Sequence, residues 1–193
     1  MASGKLLLPN HKAGGSIFIM LCLLLMNSCG VSDYSQAESI RKLSANLSDS
    51  QWKGGLIPPG QQCKKFGGQG ASPAITVANI PETAEAVIVE FSDRSWFPMN
   101  HGGHGKLGIS LNPGQQTITI PSVPGESLVL PNERLFIFHA HRGGRGQPGA
   151  YLPPCSGGRG NQYFADIKAV RKLNLEQETA ELLAEESLFL GSY

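Results

Sequence analysis

Net charge is what this 193-residue chain has least of. Its 16 Lys and Arg side chains are matched by 15 Asp and Glu, which gives a formal net charge of +1 at pH 7. All 15 acidic residues lie beyond Ser28, whereas Lys5 and Lys12 lie before it, so the rest of the chain carries 14 basic and 15 acidic side chains. This balance excludes a protein that binds nucleic acid through a broad basic surface.

Motifs of covalent catalysis are also missing. The chain has neither a Gly-x-Ser-x-Gly elbow nor Ser, His and Asp in a supporting context. Ser72 is a nucleophile candidate, but the proline after it favours a structural role. We therefore expect a protein that is not an enzyme and that uses no cofactor and no metal. An acid–base pair of Asp93 and His104 remains open as a catalytic alternative.

The N-terminus has the pattern of a secretory signal. Residues 1–28 contain no acid, begin with two lysines and continue with an uncharged apolar run at 17–26. That run is about half of the roughly 20 residues that a membrane-spanning helix needs. The following Met26-Asn27-Ser28-Cys29-Gly30 resembles a bacterial lipobox, in which the cysteine thiol takes a lipid such as palmitate. Free secretion and an uncleaved anchor are the alternatives.

The lipobox predicts both the domain plan and the location. We expect a lipoprotein signal peptide at 1–28, a flexible tether at 29–55 with room for a short helix, and one folded domain at 56–193. The protein is expected in the bacterial cell envelope, lipid-anchored at Cys29 and facing the periplasm from the outer membrane. Two cysteines are then left for the domain, Cys63 and Cys155, and an oxidising periplasm favours a disulfide between them. Two unpaired buried thiols are the alternative.

Short apolar runs separated by Gly and Pro dominate the second half of the chain. Seven of them have strand length, and residues 117–120 alternate as a half-buried strand does. Only the C-terminus looks helical, with Asn174 as a cap and an apolar stripe over 175–186. The pattern indicates a mainly β fold, an antiparallel β-sandwich with a C-terminal helix. The seven expected strands lie at 74–77, 84–91, 106–111, 116–120, 127–130, 134–140 and 163–170.

Polar side chains adjoin several of these runs. Asp93 follows one strand, His104 precedes another, and Tyr163 begins a third after a Pro- and Gly-rich loop. A fold that brings strand ends together would make them a small polar pocket. A carboxylate, an imidazole, a phenol and free backbone amides can recognise an anionic head group such as phosphate.

The order and spacing of five pieces carry a family resemblance. They are residues 67–73, the strand 86–91 with Asp93, His104 with 106–109, the loop 153–164, and the ending 188–193. Together these pieces resemble the phosphatidylethanolamine-binding protein (PEBP) family, particularly its bacterial Raf kinase inhibitor-like branch. The resemblance implies a PEBP-like β-sandwich with a closing helix. It also implies a pocket for a small anion or a phospholipid head group, here lined by Asp93, His104, Pro154, Asn161 and Tyr163.

The chain departs from the family pattern inside that pocket. Asn161 stands where a second histidine is usual, Gly105 where a tryptophan is usual, and Arg94 where a proline is usual. An amide donates only as a neutral group, so phosphate affinity should be lower. His101 is an alternative to His104 as the pocket histidine. A metal site that also involves His139 and His141 is a weaker alternative.

Two functions follow from these observations. The first is a membrane-anchored, non-catalytic protein that binds a small anion, a phosphate or a phospholipid head group. The second, which the family resemblance implies, is a protein-interaction module that inhibits or modulates a partner enzyme such as a protease or kinase. Besides the ligand or the partner enzyme, the protein is expected to contact the membrane through its N-terminal lipid. No nucleic-acid partner is expected.

Overall fold

A computed structural model describes Met1 and residues 33–143 and 148–193. The signal peptide, the lipobox and Cys29 lie outside the described residues, so these predictions remain predictions. By internal contacts the chain divides at Gly30, and the fold below is that of the unit Val31–Tyr193. Among the described residues, no helix has both the length and the apolar character needed to cross a membrane.

Strands make up most of the described chain, as the alternating and apolar runs predict. Six of the seven expected strands are present within one to four residues of their expected bounds, and residues 127–130 form none. Two 3₁₀ helices, Lys64–Phe66 and Phe97–Met99, interrupt the loops. The strands are β1 Tyr34–Lys42, β2 Ser44–Leu47, β3 Ile75–Ala78, β4 Ala86–Asp93, β5 Lys106–Ser110, β6 Thr117–Ile120, β7 Leu135–His139, β8 Gln162–Asn174 and β9 Thr179–Ser192.

Two sheets enclose the main core. The large sheet has the order β1-β9-β8-β4-β5-β7 and the small one β2-β3-β6. Alternate residues of β4 point to opposite faces, so Val87, Val89 and Phe91 enter the core between the sheets. Ala86 and Ile88 belong to a second apolar cluster on the outer face of the large sheet. The fold is therefore mainly β with two packed sheets, and parallel pairing of β1 with β9 makes the large sheet mixed.

The predicted C-terminal helix is wrong, because residues 179–192 form β9. This strand lies between β8 and β1 and pairs with both. A strand with neighbours on both sides and apolar clusters on both faces buries consecutive residues, as Ala180 to Ala184 are here. Such a run also fits a helical stripe. Asn174, read as a helix cap, instead accepts a hydrogen bond from the Gln177 backbone N–H (3.0 Å) in the β8–β9 turn.

The predicted tether at 29–55 also needs correction, since residues 34–47 form β1 and β2. β1 pairs with β9 and β2 pairs antiparallel with β3. Tyr34 and Ile40 of β1 pack on the outer apolar cluster, and Leu43 is buried in the main core. The segment looked like a spacer because its few apolar residues are widely spaced, yet each of these three finds a hydrophobic contact.

The predicted disulfide between Cys63 and Cys155 is confirmed. It links positions 92 residues apart in sequence. A loop of that length stabilises the folded chain by about 4 kcal/mol in the chain-entropy account. Met99 and Leu152 pack around the sulfurs and form a small apolar cluster with them. The bridge therefore joins the first 3₁₀ helix to the loop that leads into β8.

Candidate functional site

Asp93 lies at the end of β4, where the inward-facing row of this strand leaves the core. Its side chain is 2% exposed. Asp93 Oδ2 accepts a hydrogen bond from Asn161 Nδ2 at 2.6 Å, and Oδ1 accepts one from the Ser95 backbone N–H at 2.9 Å. Opposite Asp93 on β8 is Tyr163. Three of the predicted pocket residues therefore meet at one point, where β4 ends and β8 begins.

His104 is buried just before β5 and is 3% exposed. Its backbone N–H donates to Phe91 O (2.9 Å), and its Nδ1 lies 2.8 Å from Leu152 O. A carbonyl only accepts, so Nδ1 carries the proton and Nε2 presents a lone pair when the ring is neutral. No hydrogen bond joins Nε2 to another described residue.

Burial lowers the pKa of His104 to about 4, although the Leu152 carbonyl and the nearby Asp93 oppose the shift. The imidazole is therefore neutral at pH 7. In this state its open nitrogen accepts a hydrogen bond and cannot donate one. The ring also packs edge-on against Tyr163, with 5.3 Å between the ring centroids.

Tyr163 supplies the hydroxyl of the cluster. Its Oη accepts a hydrogen bond from the Cys155 backbone N–H at 3.1 Å, which leaves the hydroxyl proton available to donate. Burial raises the pKa of Tyr163 to about 12, so the phenol stays protonated at neutral pH. Pro154, the fifth predicted residue, is buried one position before Cys155 and accepts a hydrogen bond from the Cys63 N–H (3.0 Å).

The local fold explains why position 105 is a glycine. Gly105 has a φ of +115°, and a Cβ at this position would lie 2.1 Å from the Ala150 carbonyl oxygen. No side chain fits between these two backbones. The alternative pocket histidine, His101, is exposed and lies in an open cleft of about 580 Å³ that also borders Glu90 and Lys168. His104 is therefore the histidine of this cluster.

Two open clefts lie away from the group formed by Asp93, His104, Asn161 and Tyr163, which we call the Asp93 cluster. One is the cleft beside His101, and a second of about 740 Å³ lies between β1 and residues 79–83. Within the described part of the chain, no three His, Cys, Asp or Glu side chains are placed to hold a metal ion. His139 instead lies between Asp33 (3.5 Å) and Glu178 (3.1 Å).

Three groups of the site escaped the sequence analysis. The Leu152 carbonyl sets the His104 tautomer, and the Cys155 N–H orients the Tyr163 hydroxyl. The C-terminal Tyr193 exchanges backbone hydrogen bonds with Asn161, 3.0 Å in each direction. All three act through backbone groups, which no residue type reveals, and the contact of Tyr193 also depends on β9 reaching the start of β8.

The geometry gives the site a definite hydrogen-bonding character. One hydrogen of the Asn161 amide is used on Asp93, so the donors left to a ligand at neutral pH are the second hydrogen of this amide and the Tyr163 hydroxyl, while His104 Nε2 accepts. A ligand that brings its own proton satisfies this nitrogen. When His104 is protonated, Nε2 becomes a charged donor and the cluster favours an anion.

Comparisons with known proteins include a solved structure that is similar to this chain. No protein-family model matches the sequence, and no curated protein matches it. The solved structure is described as that of a PEBP homolog from Chlamydia trachomatis. The match has 18% sequence identity and a TM-score of 0.46, and it covers 79% of this chain and 97% of the other. The chain is thus similar to a protein whose description carries the family name that the sequence motifs indicated.

Proposed function

We propose that the Asp93 cluster binds a small anion, the phosphate group of a phospholipid head group or free phosphate, without catalysing a reaction on it. The observation that supports this most is His104 Nε2, a polar atom of a buried ring that no described residue satisfies. This nitrogen has no hydrogen-bond partner among the described residues and is not sealed from solvent, so a ligand that enters the convergence of polar side chains can reach it.

Protonated phosphate suits this nitrogen better than the dianion. A phosphate that keeps one proton donates it to Nε2 and accepts from the Tyr163 hydroxyl. Asp93 lies nearby, but its carboxylate is held by Asn161 and Ser95, which reduces its repulsion of a second anion. Anion binding also favours the imidazolium form and raises the pKa of His104. Affinity should therefore increase as the pH falls from neutral toward about 4.

Thermal unfolding with added ligand tests the proposal. Inorganic phosphate and glycerophosphoethanolamine, each at millimolar concentration, should raise Tm, and more at pH 5 than at pH 7.5. Sodium chloride at equal ionic strength is the control for screening. His104→Gln and the milder Tyr163→Phe should each remove most of the shift. The same Tm with and without both ligands, at both pH values, would contradict the proposal.

A binding role is preferred to catalysis because the hydroxyls of the region serve the fold. Ser72 Oγ accepts from the Val123 N–H (3.0 Å) and Ser92 Oγ from the Gly102 N–H (3.0 Å). Neither serine is hydrogen-bonded to His104. An activated hydroxyl needs a base within hydrogen-bond reach, and His104 directs its one such bond to a carbonyl.

Modulation of a partner enzyme, a protease or kinase, is the second candidate. Leu128 and Val129 support it, being exposed apolar neighbours in a loop that joins residues 148–150 through the Ala150 N–H to Ser127 O bond (2.9 Å). Inhibition of a protease or kinase panel that a Leu128→Ser/Val129→Ser double variant abolishes, with the phosphate response intact, would establish this role.

We also propose that Cys29 is lipidated and holds the protein at the membrane of the cell envelope. The support is the lipobox-like sequence alone. Mass spectrometry of the N-terminal peptide should find a diacylglyceryl thioether and an amide-linked acyl chain on Cys29, and Cys29→Ser should release the protein from the membrane fraction. An unmodified N-terminus after cleavage would overturn this assignment.

A further inference from the structure

Two large aromatic side chains stand exposed beside the Asp93 cluster. Trp96 is 56% exposed and Phe97 is 83% exposed. They follow Asp93 by three and four residues and open the second 3₁₀ helix, whose buried Met99 fixes the turn to the disulfide cluster. The turn is thus anchored from beneath, while its two largest apolar groups face outward.

Phe66 on the first 3₁₀ helix belongs to the same end of the molecule. It is 36% exposed, and its ring packs on Gly157 so closely that a Cβ added to this glycine would lie 2.8 Å from the ring. Cys63, which precedes this helix, shares one small apolar cluster with Met99. Phe66, Trp96 and Phe97 therefore stand around one disulfide-linked base. We call these three residues the aromatic rim.

The exposed charge around the aromatic rim is mainly positive, although Arg94 pairs with Asp166 of β8. The loops of this end, residues 62–70, 94–104, 141–143 and 148–161, contain no Asp or Glu. The neighbouring acids, Asp93 and Glu126, are buried and hydrogen-bonded. The exposed basic residues of these loops are Lys64, Lys65, Arg94, Arg142 and Arg159. Because the whole chain is nearly neutral, this local excess of cations is a property of one end and not of the composition.

We propose that this end of the domain docks on an anionic phospholipid bilayer, with Trp96 and Phe97 inserted at the boundary between head groups and acyl chains. Aromatic residues flanked by Lys and Arg are the composition of interfacial membrane anchors. Each cation near an anionic surface contributes about 1 kcal/mol. The apolar groups are a few protruding side chains and not a broad flat area, which suits a lipid surface better than a standard protein interface. This proposal does not rest on an occupied phosphate pocket.

Tryptophan fluorescence provides a test that is specific to position. The chain has two tryptophans, and Trp52 is 3% exposed, so a change in emission on adding lipid reports on Trp96. The mature chain is mixed with vesicles of phosphatidylcholine alone, or of phosphatidylcholine with about one-third phosphatidylglycerol, a share set so that the surface attracts basic residues. The acyl chains are brominated near the head group. A lipid on Cys29 does not confound this readout, because anchoring alone brings no bromine to Trp96.

Insertion should quench and blue-shift the emission of Trp96 in the anionic vesicles. Salt at about 1 M should reverse the effect, since it shortens the screening length to about 3 Å. Phe97→Ser should lower the ratio of inserted to free Trp96 about tenfold. Combined Lys64→Gln, Lys65→Gln and Arg159→Gln should lower it by more. Leu175→Ser and Lys172→Gln, an exposed apolar residue and a cation in and beside the β8–β9 turn, are the matched controls and should leave it unchanged.

Other results would overturn the proposal. Unquenched Trp96 in anionic vesicles would do so, as would equal quenching in neutral vesicles or a loss as large in Leu175→Ser as in Phe97→Ser. Loss of quenching in His104→Gln with the aromatic rim intact would show that the pocket, and not this surface, holds the membrane. The thermal response to soluble phosphate is measured separately, so failure of one proposal is distinguishable from failure of the other.

Discussion

Two buried carboxylates three residues apart on β4, Glu90 and Asp93, are held in opposite ways. Glu90 faces outward from the large sheet and is 3% exposed. It pairs with Lys106 and Lys168, each at 2.8 Å, and accepts from the Tyr34 hydroxyl at 2.8 Å. Burial alone would raise the pKa of Glu90, but the two lysines hold it below its ordinary value. Every charge around Glu90 has a partner.

Asp93 has neutral partners by contrast. An amide and a backbone N–H hold it, and the nearest histidine is uncharged with one nitrogen open. The Glu90 network is electrically closed and needs nothing further, which is typical of a structural cluster. The Asp93 cluster is compact and incomplete. The comparison teaches that burial of polar groups does not identify a site by itself, whereas an unpartnered atom that a ligand can reach favours one. His139 Nε2, which is buried beside Asp33 without a hydrogen bond to a described residue, is not such an atom.

Removing one carboxylate from each region should separate them most clearly. Glu90→Ala leaves two lysines on the outer face without their shared partner, and loss of one member of a buried ion pair costs about 3 kcal/mol. Asp93→Asn keeps shape and one acceptor, so we expect a loss of about 1 kcal/mol. Urea unfolding at pH 7 measures both free energies.

The double-lysine variant Lys106→Met/Lys168→Met in the Glu90→Ala background serves as the control. It removes the two cations that have lost Glu90, of which Lys106 still pairs with Asp33, and should recover part of the lost stability. Equal costs for Glu90→Ala and Asp93→Asn would end the distinction between a structural and a functional carboxylate.

The depressed pKa of His104 should appear as a pH dependence of stability. The unfolded imidazole has a pKa near 6.5 and the folded one about 4, so the unfolded chain binds more protons in this range. Stability is therefore complete above pH 6.5 and falls as the pH drops toward 4, by about 3 kcal/mol in total. His104→Gln should flatten the curve of unfolding free energy between pH 6.5 and 4.5 relative to the unchanged chain. Parallel curves would contradict the burial of a neutral ring.

A histidine in place of Asn161 should raise the phosphate affinity, and this is the smallest of the expected effects. In Asn161→His a charged donor can replace a neutral one beside Asp93, and such hydrogen bonds are stronger by about 1 kcal/mol. Phosphate affinity at pH 6, measured by calorimetry, should rise about fivefold. Asn161→Leu, which removes the donor, is the matched variant and should weaken binding. Unchanged affinity in both would show that position 161 does not face the ligand.

Local pattern predicted the strands of the core because their information is local. β4 begins with an apolar run at 86–89 and β6 alternates, and both the period and the bounding Pro and Gly are visible in sequence. The convergence of Asp93, His104 and Tyr163 followed from their positions at strand ends. Their partners, the Leu152 carbonyl and the Cys155 N–H, could not be predicted because backbone groups carry no residue signature.

The two errors at the ends of the fold have one physical cause. β1 and β9 pair with each other, and the paired residues Tyr34 and Ala180 are 146 positions apart in sequence. The local sequence of neither strand is therefore sufficient to predict its conformation. Residues 34–47 look like a spacer and residues 180–184 look like a helical stripe when each is considered alone. Tertiary pairing overrides local preference in both. The aromatic rim could not be predicted for a different reason, since the exposure of Trp96 and Phe97 is not visible in sequence.

The position of Asp33 has a consequence for the reach of the domain. Its carboxylate pairs with Lys106 and lies 3.5 Å from His139 Nε2, so the folded body begins there and not near residue 56. Only three residues separate Asp33 from Cys29, and the peptide between them spans at most roughly 14 Å. A flexible leash of 27 residues would instead wander over about 30 Å. A lipid on Cys29 would therefore keep the domain close to the bilayer surface, because the connection between them is short.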